Sequence, residues 1–261
     1  MQYQLSHVVA GPILRGFGRP KVTGLENIPA SGPALLASNH LSIIDSVYLP
    51  LMLSRPVVFP AKAEYFSAKG PVGRLWAAYL RSTNQLAMNR DDTRSATATL
   101  EAAADILRAG ELFGFYPEGT RSPDGRLYKG KTGVARLALE SRAPVVPCAM
   151  IGTFEFLPPG SLRPQPKIKP GVIFGPPMEF SRYYGKETDR TALRAVTDEI
   201  IAEIAKLSGQ EYVPIYAADA KAQLQTDKAA NGDSSGTREL PEAELLVSFP
   251  ATLSGDSLQV R

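Results

Sequence analysis

Pro33-Ala34-Leu35-Leu36-Ala37-Ser38-Asn39-His40-Leu41-Ser42-Ile43-Ile44-Asp45 is the stretch whose reading decides the fold. Residues 33–38 make a short apolar run, bounded by glycine and proline before it and polar residues after it, as a buried strand is. Ser46-Val47-Tyr48-Leu49 then reads as the first turn of a helix, with Asp45 or Ser46 as its cap. A strand that turns into a helix opens an α/β fold, and the turn leaves His40 just past the strand's end.

His40 is one of two histidines in the chain. Imidazole is the side chain most readily poised as a base near neutral pH, and a nearby carboxylate can fix its tautomer and stabilise the imidazolium that forms on protonation. An offset of five does not put His40 and Asp45 on one helical face, which favours offsets of three and four. The turn itself must bring them together. Taken alone, this spacing more often means a loop histidine and an N-capping aspartate than a base and its orienter.

Working outward, Val22 to Pro29 reads as an edge strand and turn, and Val57-Val58-Phe59 as a second buried strand running into a helix from Pro60 through Trp76 to Leu80. Gln85 to Met88 is a third strand. Thr97 to Ala109 is a helix with Leu100, Ala103, Ala104 and Leu107 on one face, and Gly110 is its stop. Leu112-Phe113-Gly114-Phe115-Tyr116 then forms a strand that delivers Pro117-Glu118-Gly119-Thr120-Arg121-Ser122. Glycine allows close backbone approach to a ligand, and two hydroxyls with a guanidinium fork suit phosphate or carboxylate oxygens. That makes a candidate anion loop, although such a run before Pro123-Asp124-Gly125 is more often only a polar turn. Lys62, past a strand end, either meets an anion or is simply solvated.

Thr132 to Ser141 reads as a helix and Pro144 to Ile151 as another buried strand. Residues 157–171 are a proline-rich loop with Arg163, Lys167 and Lys169, ahead of a strand near Val172-Ile173-Phe174. The last strong helix carries Leu193, Val196, Ile200, Ile204 and Leu207 at core-packing spacing, capped by Thr188 or Asp189. Strands alternating with helices predict one α/β domain with a mixed, largely parallel sheet flanked by helices. Ligand loops then lie at the strands' carboxyl ends.

The chain has 261 residues, 44% of them hydrophobic, enough for one large domain with appendages. Residues 22–216 are assigned to the domain and 1–21 to an N-terminal segment, either a short interfacial helix or an ordinary docking segment. Residues 217–261 carry four Lys/Arg against seven Asp/Glu and are rich in Ala, Asp, Gln, Ser and Gly, so a mostly disordered tail is expected. A single cysteine, Cys148, excludes an intramolecular disulfide framework and fits a reducing cytoplasmic compartment. With two histidines and one cysteine, no metal site is expected. No run approaches the roughly 20 apolar residues of a transmembrane helix. Nucleic-acid binding is not expected either, since no basic run is interleaved with aromatics.

Gly125-Arg126-Leu127-Tyr128-Lys129-Gly130-Lys131-Thr132 matches the phosphate-binding expression G-x-x-x-x-G-K-[ST] letter for letter. The context argues against a nucleotidase. Ser122-Pro123-Asp124 is a turn, so no strand delivers the first glycine, and the strand at Val145 to Ile151 has no acidic residue to serve Mg²⁺. Lys129 and Lys131 are still placed to face an anionic ligand beside Arg121, near the amino end of the following helix.

Taken together, these blocks resemble the glycerolipid acyltransferases of the 1-acylglycerol-3-phosphate acyltransferase family. Asn39, His40 and Asp45 match its N-H-x-x-x-x-D motif, and Ala61-Lys62-Ala63-Glu64 with Arg90 its second block. Tyr116 through Ser122 match F-P-E-G-T-R-S with tyrosine for phenylalanine, and Val145-Val146-Pro147 an apolar-apolar-proline element. Met88-Asn89 before Arg90 depart from the family's usual run.

The resemblance implies that His40 deprotonates the sn-2 hydroxyl of 1-acylglycerol 3-phosphate (lysophosphatidic acid) while Asp45 orients it. It also implies that Arg121, with Lys62 and Arg90, holds the phosphate, and that Glu118, Gly119 and Thr120 belong to the substrate-binding loop, which Glu118 and Gly119 shape. It further implies acyl-CoA or acyl-carrier protein as donor, no cofactor, no metal, and peripheral attachment to the cytoplasmic face of the cell membrane. A relative acting on glycerol 3-phosphate or a glycolipid, or a lipid-binding protein without turnover, is the alternative.

Overall fold

The structure, a computed structural model, describes residues 20–230 apart from 69, 83–84, 89–92 and 162. Its centre is β2 (Ala34–Ser38), flanked by β6 (Leu112–Phe115) and β8 (Val145–Ile151), both parallel to it. The six-stranded sheet runs β1-β9-β8-β2-β6-β3, with β1 at Lys21–Thr23, β3 at Val57–Val58 and β9 at Gly171–Phe174. Only the β8–β9 pairing in it is antiparallel, which gives the expected mixed, largely parallel α/β sheet.

Successive residues of a strand face opposite sides. Ala34 and Leu36 accordingly pack with α1 (Asp45–Leu51), Phe59 and Phe156 on one face. Leu35 and Ala37 pack on the other against α3 (Thr93–Arg108), α4 (Gly133–Ser141) and α6 (Arg190–Ser208). Burial on both faces is why β2 reads as a continuous apolar run and not as an alternation. Asp189 caps α6 as expected, accepting from the amides of Thr191 and Ala192.

Three expectations are corrected. Pro60 does not open a helix: Pro60–Lys62 is a strand, β4, followed by a 3₁₀ turn over Ala63–Ser67 and a helix, α2, over Gly70–Ser82. Proline's fixed φ and missing amide suit a short edge strand as well as a helix start. The strand at Leu86–Met88, β5, pairs with β4 in a separate two-stranded sheet and does not join the central one. The stretch from Ala217 is not disordered at its start. α7 spans Ala217–Ala230, and its Ala217 and Ala220 are buried against Tyr128. α5 is a single turn, Thr153–Phe156, and a further parallel pair joins β7 (Leu127–Tyr128) to β10 (Tyr212–Val213). Most of the proposed interfacial segment, residues 1–19, and the chain beyond 230 lie outside the described residues.

Candidate active site

His40 follows the carboxyl end of β2, and Asn39 just before it explains how the turn is held. The Asn39 side-chain amide donates to the Met150 carbonyl (3.0 Å) and accepts from the Met150 amide (2.7 Å), replacing a rung of backbone ladder where β2 has ended. It also donates to Gln210 Oε1 (2.7 Å), and Gln210 in turn donates to the Gly125 carbonyl (2.6 Å). The chain leaves the sheet at a fixed angle because a side chain continues the pairing.

His40 is 6% exposed and Asp45 is fully buried. His40 Nδ1 lies 3.0 Å from Asp45 Oδ2. The same oxygen accepts the amides of Leu41 (2.6 Å) and Ser42 (2.8 Å), so it can only be an acceptor toward the ring and Nδ1 carries the hydrogen. That tautomer makes Nε2 the basic nitrogen. Asp45 is also not the N-cap: it is the first residue of α1, and its carboxylate reaches back into the turn instead of forward to the helix amides. Its Oδ1 is buried without a hydrogen-bond partner among the described residues.

Tyr116, at the end of β6, lies flat on the imidazole, with ring centroids 3.9 Å apart and planes 10° from parallel. Its hydroxyl bonds Ser46 Oγ at 3.2 Å, and Phe59 supports its ring at 5.3 Å. β6 makes room for Phe59 through Gly114, where an added Cβ would lie 2.0 Å from the phenyl ring. The tyrosine that stands in place of phenylalanine is therefore part of the packing of His40, a role that the sequence did not reveal.

The two motif loops meet through their backbones. The Ser122 amide donates to the His40 carbonyl (2.7 Å), while Glu118 Oε1 accepts the His40 amide (3.1 Å) and Oε2 the Tyr128 amide (2.9 Å). Glu118 is 1% exposed, and both carboxyl oxygens face backbone amides. Of the residues assigned to the substrate-binding loop, Glu118 thus turns inward and holds the two loops together. Burial, more than any neighbour, pushes its carboxyl up to about 8, against the pull of the two amides and with some help from the Asp45 charge.

Gly119 has φ of +74°, a left-handed conformation that suits glycine, and lies under the Lys131 side chain. Thr120 Oγ1 accepts from Lys221 Nζ at 3.0 Å, and Arg121 is half-buried at the loop's edge. His40 and Arg121 thus sit at the same end of the sheet, with Arg121 next in sequence to the residue bonded to the His40 carbonyl. Lys62 ends β4, with its side chain outside what is described, and Arg90 lies outside the described residues.

The nucleotide-like stretch has another use here. Leu127 and Tyr128 inside it form β7. Gly130 lets the chain touch α6, where an added Cβ would lie 2.9 Å from both Ile201 and Thr197. Among the described residues, no group of three or more His, Cys, Asp or Glu side chains is placed to hold a metal.

A buried histidine oriented by a carboxylate thus lies beside a glycine-containing loop that carries Arg121, at the carboxyl ends of parallel strands in an α/β protein. The chain belongs to the Acyltransferase family, whose model matches residues 19–151. It is 35% identical over 146 residues to the chloroplastic 1-acyl-sn-glycerol-3-phosphate acyltransferase BAT2 of Brassica napus, covering 56% of this chain. It is 36% identical over 146 residues to the chloroplastic enzyme LPAT1 of Arabidopsis thaliana, again over 56% of this chain. The matches span 41% and 39% of those two proteins' lengths. The crystal structure of the 1-acyl-sn-glycerophosphate acyltransferase PlsC from Thermotoga maritima superposes with a TM-score of 0.55 at 26% identity, covering 78% of this chain and 82% of that one.

Proposed function

We propose that this protein transfers an acyl group from a thioester, acyl-CoA or acyl-carrier protein, to the sn-2 hydroxyl of 1-acylglycerol 3-phosphate, forming phosphatidic acid. The observation that carries this reading is the buried His40–Asp45 pair with Nδ1 committed to the carboxylate at 3.0 Å. His40 Nε2 takes the hydroxyl proton as the alcohol oxygen attacks the thioester carbonyl. The tetrahedral intermediate expels the thiolate, and the same Nε2–H returns the proton to it, releasing a thiol and leaving the base regenerated. Asp45 and the face of Tyr116 stabilise the transient imidazolium. Arg121 supplies a bidentate fork for the acceptor's phosphate.

The acceptor carries an acyl chain, so the enzyme must reach a bilayer. No helix among the described residues is long and apolar enough to cross one. Peripheral attachment to the cytoplasmic face of the cell membrane fits this, and exposed Arg163, Lys167 and Lys169 suit an anionic surface. Failure of the protein to float with anionic liposomes would remove that part of the reading.

The reaction is tested by thiol release from purified protein over a panel of donors and acceptors that includes glycerol 3-phosphate. His40→Ala is expected to lower kcat by about 10²–10⁴-fold. Near-normal transfer to lysophosphatidate by that variant would overturn the mechanism, and preference for another acceptor would replace the substrate.

A further inference from the structure

Beyond the family-matched region, the chain returns to the site. Residues 211–215 run alongside β7: the Leu127 amide donates to the Glu211 carbonyl (2.9 Å) and the Lys129 amide to that of Ile215 (3.0 Å). This delivers α7 onto Tyr128, where Ala217 and Ala220 are buried. Lys221 is four residues past Ala217 and shares its helical face. Its ammonium is held at the substrate loop by the 3.0 Å hydrogen bond to Thr120 Oγ1.

Other cations converge on the same few residues. The Lys131 amide donates to the Pro117 carbonyl (2.8 Å), and its side chain covers Gly119, where an added Cβ would lie 3.2 Å from Cδ and Cε and 3.4 Å from Nζ. Arg121 follows Thr120. The acidic residue of residues 117–122, Glu118, is turned inward onto the amides of His40 and Tyr128. The loop therefore gathers basic residues from three separate segments, Arg121 of its own and Lys131 and Lys221 from outside it.

We propose that Lys221 of α7 and Lys131 complete a phosphate-binding subsite around Gly119-Thr120, assembled when α7 docks on Tyr128. Two lysines are point charges with rotatable donors, which suit phosphate monoester or diphosphate oxygens presented beside the Arg121 fork. Those oxygens come either from the acceptor's phosphate or from the phosphates of the donor's carrier. The choice between these two sources rests on the acyltransferase reading above; the subsite itself does not.

The test uses the full chain and the variants Lys221→Met, which keeps the apolar stem, and Lys221→Arg, which restores charge. Loss of one charge-assisted phosphate contact is expected to raise one KM by about tenfold in Lys221→Met, with a smaller change in kcat, and Lys221→Arg is expected to recover most of it. A rise in the KM for lysophosphatidate assigns the acceptor's phosphate, and a rise in that for acyl-CoA the donor's. Both KM values within about twofold of wild type would overturn the subsite.

If wild type transfers no acyl group, the reaction reading falls, and thermal unfolding with pyrophosphate still decides the subsite. Protection of the wild type that is lost in Lys221→Met and in Lys131→Met supports it. Equal protection of all three overturns it.

Discussion

Replacing Asp45 by asparagine separates what this carboxylate does by shape from what it does by charge. Oδ2 accepts from His40 Nδ1, Leu41 N and Ser42 N at 3.0, 2.6 and 2.8 Å. An asparagine can present its amide oxygen to all three. The reverse orientation would point its NH₂ at two buried backbone amides, each left unsatisfied at about 1–3 kcal/mol, so the backbone selects the oxygen-inward form and preserves the histidine tautomer. The NH₂ then occupies the place of Oδ1, exchanging an unpartnered acceptor for an unpartnered donor. Stability is expected to change by no more than about 1–2 kcal/mol.

What is lost is the charge. At 3.0 Å a full ion pair is worth about 5 kcal/mol at an effective dielectric of about 20, and the amide dipole retains part of that. A net loss of about 2–4 kcal/mol in the transition state lowers kcat by about 30- to 1000-fold. Asp45→Ala instead leaves the Leu41 and Ser42 amides without an acceptor and should cost roughly 3 kcal/mol or more in urea unfolding. Thiol-release kinetics and equilibrium unfolding, run on both variants, check the pair. A kcat for Asp45→Asn within about threefold of wild type would refute the electrostatic role. Equal losses of stability in both variants would refute the oxygen-inward argument.

Gly114→Ala drives a methyl into the Phe59 ring at 2.0 Å and is expected to destabilise by about 1–3 kcal/mol or more, read as a fall in Tm; an unchanged Tm would show that Phe59 is free to move away. Tyr116→Leu removes the ring stacked on His40 and should lower kcat by about tenfold, whereas Tyr116→Phe keeps the stacked ring, gives up the hydroxyl's bond to Ser46 and stays within a few-fold. Glu118 has its folded carboxyl raised from 4.5 to about 8, so between those values the native state binds more protons than the unfolded chain. Its contribution is therefore fully present below about 4.5 and is lost as pH rises through about 8; Glu118→Gln should flatten that fall in urea-measured stability, and an unchanged slope would refute the assignment.

The parts legible in the sequence are those written as local patterns. β2 announces itself by an apolar run, β6 by Leu112 to Phe115, and α6 by Leu193, Val196, Ile200 and Ile204 at helical spacing. His40, Asp45 and the loop at Glu118 to Arg121 were legible as motifs, and the sheet brings them together. Elements that depend on distant partners were not legible. β7 and β10 are two residues each, too short for any periodic signal. α7 meets the domain through Ala217 and Ala220, small residues that leave no apolar stripe to read. Asn39 gave no hint of its role because its backbone partner lies 111 positions away. Glu118 could be placed in the loop but not oriented, because the amides it turns inward to meet, of His40 and Tyr128, lie 78 and 10 positions away.

That inward turn bears on why so much polarity is buried in one place. Ser38, Asn39, His40, Ser42, Asp45, Glu118 and Ser122 are all buried around one turn, and Asp45 Oδ1 lacks a hydrogen-bond partner among the described residues. Burying such groups opposes folding even when they are paired, and apolar residues of similar volume would often be as stable or more so. Stability alone does not account for the arrangement, but positioning does. The His40 main chain is gripped at both its amide and its carbonyl, and the next two amides are fixed by the carboxylate that orients the ring. Rotation of the imidazole, displacement of the turn and separation of the two loops are each opposed by a different bond. In the reaction proposed above, a base that meets a hydroxyl and a thioester at one geometry needs this restraint before substrate arrives, because ordering it afterwards would cost rate. The polar cluster is better understood as preorganisation of His40 than as a device that holds the fold together.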